Sequence, residues 1–246
     1  MSVRTLAYLV ALVVATIWYS SKVVLAALVR RSRRPGGVYD TAGRDWARMI
    51  LSAAGTPVTV EGSEHLSPTE PQIVAANHAS FFDILAILGY LAVPVKFVAK
   101  KELFRIPLWG PALRASGHVR LDRARAREAM EVYAKAAKQV VEQKLTMLVF
   151  PEGTRTRTGD LLPFKKGAFV LAIEAGVPIV PAYVANTFGI QPKGSVWVHP
   201  RPIRICLASP IDPTGLAAGD REALAERVRD AVLALKARVD SAESRG

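Results

Sequence analysis

The sequence predicts an α/β fold: a largely parallel mixed sheet flanked by helices and preceded by an N-terminal membrane-associating helical segment. From Pro57 onward, apolar runs typical of buried strands alternate with helical patterns. This alternation indicates a mostly parallel sheet covered on both faces. Half of the 246 residues are hydrophobic, which is enough for one sizeable core. The N-terminus, by contrast, is almost continuously apolar, as a membrane segment would be.

Residues 1–37 form the predicted membrane-associating segment and its basic linker. As one helix, residues 6–29 would be about 36 Å long, enough to cross a bilayer core of about 30 Å. Trp18, Tyr19 and Lys22 nevertheless fall near its middle, and such residues prefer the membrane interface. A helical hairpin dipping into one leaflet therefore competes with a single span. A cleaved signal peptide is a third possibility, disfavoured because no A-x-A site follows the apolar core.

The charge balance calls for an acidic partner. The formal net charge is +12, which suits nucleic acid, anionic lipid or a phosphorylated substrate. The linker RRSRRPGG (30–37) directly follows the apolar segment, which favours anionic membrane lipid over nucleic acid. We therefore expect a cell-membrane location with the rest of the chain on the cytoplasmic face. The single cysteine, Cys206, excludes an internal disulfide and is expected in the core.

Residues 38–246 are predicted to form the functional domain. An amphipathic helix is expected over 40–54, ending at Gly55, and a C-terminal cover helix over 219–239. The intervening helices are predicted at 80–91, 124–143 and 165–175. Strands are predicted at 57–61, 72–76, 94–99, 117–121, 145–150, 177–184, 196–199 and 202–208.

The most informative stretch is QIVAANHASFFDI (72–84), in which a buried strand ends at Ala76 and delivers Asn77 and His78 to a turn. The S-x-x-D spacing of Ser80 and Asp83 resembles a capping box, so a helix is predicted from Ser80. Across this turn His78 and Asp83 can meet, with the carboxylate orienting the imidazole as a general base. In the alternative interpretation, the serine and aspartate only cap the helix and the histidine is solvated.

Basic residues follow other predicted strands at the same sheet edge, where ligands of α/β sheets bind. Arg123 ends the run GHVRLDR, and the loop PEGTRTRTGDLLPFKK (151–166) follows the strand that ends near Phe150. Its glycine, threonines and basic side chains can bind a phosphate, although a solvated basic loop is equally compatible with the sequence.

Several reaction classes lack their motifs. The sequence contains no G-x-S-x-G, no G-x-x-x-x-G-K-[ST], no G-x-G-x-x-G and no H-E-x-x-H. The remaining histidines are scattered singly, so no metal site is expected. A general base without a protein nucleophile suggests that a substrate hydroxyl is the nucleophile and a thioester carbonyl its target.

Four blocks of the chain resemble those of the 1-acylglycerol-3-phosphate O-acyltransferases (lysophosphatidic acid acyltransferases) and their glycerol-phosphate acyltransferase relatives. NHASFFD (77–83) is similar to the first block, H-x-x-x-x-D, with Ala79 where glutamine is frequent. KELFRIPLWG (101–110) and GHVRLDR (117–123) resemble the second region. FPEGTRT (150–156) resembles the third block and VPIVPA (177–182) the fourth. The resemblance spans residues 57–210.

This resemblance implies an enzyme that acylates the sn-2 hydroxyl of lysophosphatidic acid to give phosphatidic acid. It implies that His78 is the catalytic base and Asp83 its orienting partner. No cofactor is implied; acyl carrier protein or coenzyme A would supply the acyl thioester. Residues implied at the phosphate and glycerol end are Arg123, Glu152, Gly153, Thr154 and Arg155, with Lys101 and Lys165 as further phosphate candidates.

Three alternatives remain at this point. The acceptor could be glycerol-3-phosphate or another lyso-lipid. The chain could be a non-catalytic protein whose basic loops bind anionic lipid at a membrane surface. A nucleic-acid binder rests on charge alone and is not expected.

Overall fold

The computed structural model describes residues 2–34, 36–121 and 126–244, and its centre is one seven-stranded sheet. The strands, in chain order β1 to β7, are Val58–Glu61, Gln72–Ala76, Val95–Lys100, Val119–Leu121, Thr146–Val149, Ile179–Ala185 and Ile203–Leu207. Their spatial order is β1-β7-β6-β2-β5-β3-β4. Every pairing is parallel except that of β6 with β7. The predicted α/β class is confirmed.

Helices cover both faces of this sheet. The α-helices α1 to α8 are Val3–Leu28, Val38–Ala54, Phe82–Tyr90, Trp109–Ala115, Ala126–Glu142, Val170–Ala175, Thr187–Ile190 and Arg221–Glu243. Short 3-10 helices lie at Ser63–His65, Lys101–Arg105, Lys166–Phe169 and Ala218–Asp220. The predicted helix at 165–175 is therefore a 3-10 turn followed by an α-helix, and α4 and α7 were not predicted.

Strand β2 shows why the sequence of a central strand is a continuous apolar run. All five of its residues are buried. Val74 and Ala76 point into the core cluster under α2 and α3, and Ile73 and Ala75 point into the cluster under α5, α6 and α8. A strand buried on both faces has no polar alternation, as expected for parallel sheets.

The strand predicted at 196–199 is wrong. This segment is extended but pairs with no strand among the described residues. The backbone N–H of Val198 donates to Thr5 Oγ1 (3.2 Å), and that of His199 donates to the carbonyl of Ile190 (2.9 Å). Its hydrogen bonds thus go to α1 and α7, while Val196 and Trp197 remain exposed.

The start of α3 is also two residues later than predicted. The helix begins at Phe82, whose backbone N–H donates to Ser80 Oγ (3.2 Å). Asp83 does lie in the first turn and accepts the Ser80 N–H (2.8 Å). The serine and aspartate therefore shape the turn ahead of the helix, and the aspartate has a further partner described below.

Helix α1 runs without a break through Trp18 and Lys22, and the chain turns only after residue 28. One face packs on the domain: Tyr8 stacks on Phe82 with ring centroids 5.5 Å apart, and Trp46 Nε1 of α2 donates to Thr16 Oγ1 (3.0 Å). The opposite face is apolar and exposed at Leu6, Val10, Val13, Val14, Ile17, Trp18, Leu25 and Leu28. Over an 18-residue window its mean hydropathy is 1.9, and it alone in the described ranges is long and apolar enough to cross a membrane.

Candidate active site

The site is built where β2, the central strand, ends. Asn77 continues the pairing with β6 beyond the strand, because its side chain donates to the Val184 carbonyl (3.1 Å) and accepts the Val184 N–H (2.7 Å). This fixes the backbone as it turns into His78. The imidazole Nδ1 of His78 then lies 2.9 Å from Asp83 Oδ2. The structure therefore contains the predicted contact between these two side chains across the turn.

The hydrogen-bond partners of Asp83 determine the tautomer of His78. Besides the imidazole, Oδ2 accepts the backbone N–H groups of Ala79 (2.7 Å) and Ser80 (2.8 Å). An oxygen that already accepts two N–H donors has no room for a proton, so the histidine must be the donor of the third bond. Nδ1 therefore bears the hydrogen, and the lone pair of Nε2 is available as a base.

The ring and backbone of His78 are held from the other side by the loop after β5. The imidazole stacks on Phe150, with ring centroids 4.0 Å apart and planes 17° apart. The His78 carbonyl accepts the backbone N–H of Thr156 (2.9 Å). Its backbone N–H donates to Glu152 Oε1 (2.6 Å). The turn that carries His78 and Asp83 and the 151–166 loop are thus one hydrogen-bonded unit.

Glu152 lies behind the turn that carries His78 and Asp83, which differs from the substrate-binding role expected for it. The residue is 2% exposed, and the second oxygen of its side chain, Oε2, accepts the Leu162 N–H (3.1 Å). Burial of the carboxyl raises the pKa of Glu152 to about 7, opposed by these two backbone hydrogen bonds. With both oxygens engaged by backbone, Glu152 positions His78 and the loop, and is not among the side chains lining the cleft.

A cleft of about 400 Å³ opens beside His78, a volume typical of ligand sites. One part of its wall is apolar: Phe81, Ile84, Phe97, Val98, Leu103 and Phe150. Another part carries the cations Lys100, Arg155 and Lys193. Of the described residues that line it, none is acidic. The cleft therefore suits a ligand with an anionic end and an apolar end.

The phosphate candidates divide between this cleft and other places. Thr154 and Arg155 line it, and Lys193 Nζ donates to Thr154 Oγ1 (2.8 Å). Gly153 has a left-handed backbone (φ 72°), which lets the loop turn back over the Lys165 side chain.

The other candidates are placed differently. Lys101 begins the 3-10 helix after β3 and does not line the cleft; its neighbour Lys100 does. Lys165 lines a separate cavity between the loop and α8, with Arg229 and Glu222. Arg123 lies outside the described residues.

Comparison with known proteins fits this geometry. The family model described as "Acyltransferase" matches residues 57–185. A 1-acyl-sn-glycerol-3-phosphate acyltransferase of Cocos nucifera is 37% identical over 210 residues, which are 85% of this chain and 67% of that protein. The chain belongs to the acyltransferase family. A Mus musculus relative, 1-acyl-sn-glycerol-3-phosphate acyltransferase alpha, is 35% identical over 182 residues, covering 74% of this chain and 64% of that protein.

A solved acyltransferase has the same architecture. The crystal structure of the 1-acyl-sn-glycerophosphate (LPA) acyltransferase from Thermotoga maritima superposes with a TM-score of 0.79 at 30% identity. The superposition covers 99% of this chain and 96% of that one, so the similarity includes α1 and α2. The acyltransferase resemblance of the four sequence blocks is confirmed.

Some residues of this acyltransferase site were not found from the sequence. Thr187 donates through Oγ1 to Asp83 Oδ1, Tyr8 of α1 lines the cleft, and Lys193 adds a cation. None of them lies in the four blocks, and no spacing rule connects them to His78. Within the described ranges no group of three or more histidine, cysteine or acidic side chains could hold a metal ion. The expectation of a reaction without cofactors stays a prediction.

Proposed function

We propose that this protein is a 1-acyl-sn-glycerol-3-phosphate acyltransferase, which esterifies the sn-2 hydroxyl of lysophosphatidic acid to give phosphatidic acid. The observation that supports this best is the His78–Asp83 pair at the wall of a cleft with cationic and apolar parts. The names of the curated relatives and of the structural neighbour agree with it.

In the proposed reaction His78 acts as base and then as acid. Nε2 removes the proton of the sn-2 hydroxyl as its oxygen attacks the thioester carbonyl. The imidazolium that forms is stabilised by the Asp83 carboxylate 2.9 Å from Nδ1. When the tetrahedral intermediate collapses, the C–S bond breaks and the imidazolium returns the proton to the sulfur. The products are the new ester and a free thiol.

Arg155 is proposed to bind the acceptor phosphate. It is half-buried in the cleft wall, and its guanidinium can engage two phosphate oxygens at once. Lys193 and Lys100 add positive charge on the same wall. The apolar wall would contact the acyl chains. This arrangement selects a phosphorylated, lipid-like acceptor by charge at one end and by burial at the other.

The acyl donor is proposed to be a thioester of acyl carrier protein or coenzyme A. The cations of the cleft suit the phosphate on the pantetheine arm that both donors share. An assay that supplies each donor separately, at matched chain length, distinguishes them by rate.

Helix α1 is proposed to attach the protein to the cytoplasmic face of the cell membrane. Because Tyr8 packs on Phe82 of the domain, the helix cannot cross the bilayer freely and would lie along one leaflet with its exposed apolar face in lipid. Val10→Asp on that face should reduce flotation with anionic liposomes. Val141→Asp, at a comparably exposed valine on α5, is the matched control and should leave flotation unchanged.

An acceptor panel tests the proposed activity. The purified full-length protein in mixed micelles receives a labelled acyl thioester with lysophosphatidic acid, glycerol-3-phosphate or lysophosphatidylcholine. Labelled phosphatidic acid should be the main product. A preference for another acceptor would replace the assigned substrate, and liposome binding without transfer to any acceptor would overturn the enzymatic proposal.

Removing the base tests the mechanism. His78→Ala should abolish turnover with the fold intact, because no other described histidine lines the cleft. His199→Ala removes an exposed histidine elsewhere and should retain activity. Substantial turnover by the His78 variant would refute the assigned base.

A further inference from the structure

Thr187 is a buried polar residue immediately behind the catalytic carboxylate. It follows β6 as the first residue of α7 and is 1% exposed. Its Oγ1 donates a hydrogen bond to Asp83 Oδ1. A hydroxyl at such a depth normally has a partner, and here that partner is the side chain that orients the base.

The two carboxylate oxygens of Asp83 have different partners. Oδ2 accepts three hydrogen bonds, from His78 Nδ1 and from two backbone N–H groups. Among the described residues, the only donor to Oδ1 is Thr187. The bond to Oδ1 holds the carboxylate at its second oxygen, on the side away from the imidazole, and opposes rotation of the group about the Cβ–Cγ bond.

Thr187 is itself held firmly, so it can act as a fixed point. Ser80 Oγ donates to the Gln191 carbonyl (2.8 Å), which ties the end of α7 to the catalytic turn. Tyr8 of α1 donates to Gln191 Oε1 (3.4 Å). Asn186, directly before Thr187, donates to the Pro202 carbonyl (3.1 Å). The segment 186–191 is therefore attached to the catalytic turn, to α1 and to the chain ahead of β7.

We propose that Thr187 is a positioning residue for acyl transfer, which acts through Asp83 on the orientation and hydrogen bonding of the His78 imidazole. The inference rests on the function proposed above and extends it to a residue outside the four sequence blocks. Valine has nearly the shape of threonine but no hydroxyl, so Thr187→Val would leave Oδ1 buried without a donor. Serine at this position would keep the hydroxyl.

The test uses the full-length protein in mixed micelles with lysophosphatidic acid and a labelled acyl thioester. We expect Thr187→Val to lower kcat by about ten- to a hundred-fold, because an unsatisfied buried acceptor perturbs the pair directly. KM for lysophosphatidic acid should change less than about twofold, since Thr187 does not contact the cleft. Thr187→Ser, which keeps the hydroxyl, should retain most of the wild-type kcat.

Two further measurements separate positioning from a merely structural role. Thr146→Val is the matched control. Thr146 is also buried and its hydroxyl accepts a hydrogen bond from Gln72, but it lies at the start of β5, at the end of the strands away from His78. It should keep the wild-type kcat. In a sample labelled at histidine nitrogen, the low-field resonance of the His78 Nδ1–H proton should move in Thr187→Val and return in Thr187→Ser.

The inference and the underlying function fail in different ways. A wild-type protein without acyl transfer would refute the proposed function. An active wild type with a Thr187→Val kcat within about twofold, or with an effect on KM alone, would refute the positioning role. So would a loss of kcat that serine does not restore, or an unchanged His78 resonance in a folded Thr187→Val protein.

Discussion

Replacing Asp83 by asparagine separates the charge of the carboxylate from its geometry. The backbone N–H groups of Ala79 and Ser80 point at the oxygen that faces His78. An asparagine amide must therefore place its oxygen there, because its NH₂ would meet two donors. The NH₂ then faces Thr187 Oγ1, which can accept a hydrogen bond. The His78 tautomer survives, and only the negative charge is lost.

The size of the effect follows from the distance between the charges. Two unit charges 2.9 Å apart attract by about 6 kcal/mol at an effective dielectric constant of about 20. This interaction appears as the imidazolium forms in the transition state. If all of it were lost, kcat would fall by about 10⁴-fold, so we expect a decrease of about 10³- to 10⁴-fold. KM should change little, because Asp83 is fully buried and does not line the cleft.

The assay is steady-state transfer from a labelled acyl thioester to lysophosphatidic acid, with thermal unfolding of the same samples. Asp83→Ala serves as the comparison, since it also leaves the buried N–H groups of Ala79 and Ser80 without an acceptor. It should lose stability as well as activity. An Asp83→Asn protein that is folded and keeps more than about a tenth of wild-type kcat would refute the assigned electrostatic role.

Three further outcomes are expected. Glu152→Gln should lower both kcat and the free energy of unfolding, the latter by about 1–3 kcal/mol in urea titrations, because the amide NH₂ must face the N–H of His78 or of Leu162. In the wild type the pKa of Glu152 is raised to about 7, so the folded state binds this proton more tightly than the unfolded chain does. The free energy of unfolding should therefore fall as the pH rises from about 4.5 to 7, by up to about 3 kcal/mol from this group. Glu152→Gln should remove this part of the pH dependence. A difference between wild type and variant that is flat across this interval would contradict the burial argument. Arg155→Ala should raise KM for lysophosphatidic acid several-fold with kcat nearly unchanged, whereas Arg157→Ala, an exposed arginine of the same loop, should leave both constants unaltered in the transfer assay.

The parts of the site that the sequence predicted are those fixed by local chain geometry. His78 and Asp83 are five residues apart, and a strand followed by a turn and a helix leaves few ways for their side chains to lie. The 151–166 loop was likewise recognisable from its composition. Local spacing was less reliable for the helix start: the hydrogen bond from the Ser80 N–H to Asp83 is present, yet the helix begins only at Phe82.

The parts that could not be predicted depend on tertiary partners. The sequence does not show whether Glu152 binds a substrate or two backbone N–H groups. Only its burial in the folded protein distinguishes the two roles. The extended segment 196–199 has an apolar pattern typical of a strand. Its backbone N–H groups donate to α1 and α7 instead of to a neighbouring strand. The periodicity of the segment does not show which of these partners its backbone will bond. Thr187 is 104 residues away from the carboxylate to which it donates.

The strand order explains why residues so distant in sequence make one site. β2 lies between β6 and β5, and it is parallel to both. Because parallel neighbours end at the same edge, the segments after these three strands must lie side by side. The middle one contributes His78 and Asp83, the one after β5 contributes Arg155 and Glu152, and the one after β6 contributes Thr187. His78 is therefore at the centre with support from both flanks: a perturbation of the segment after β5 should reach it through the hydrogen bond from its backbone N–H to Glu152, and one of the segment after β6 through Thr187 and Asp83 in turn.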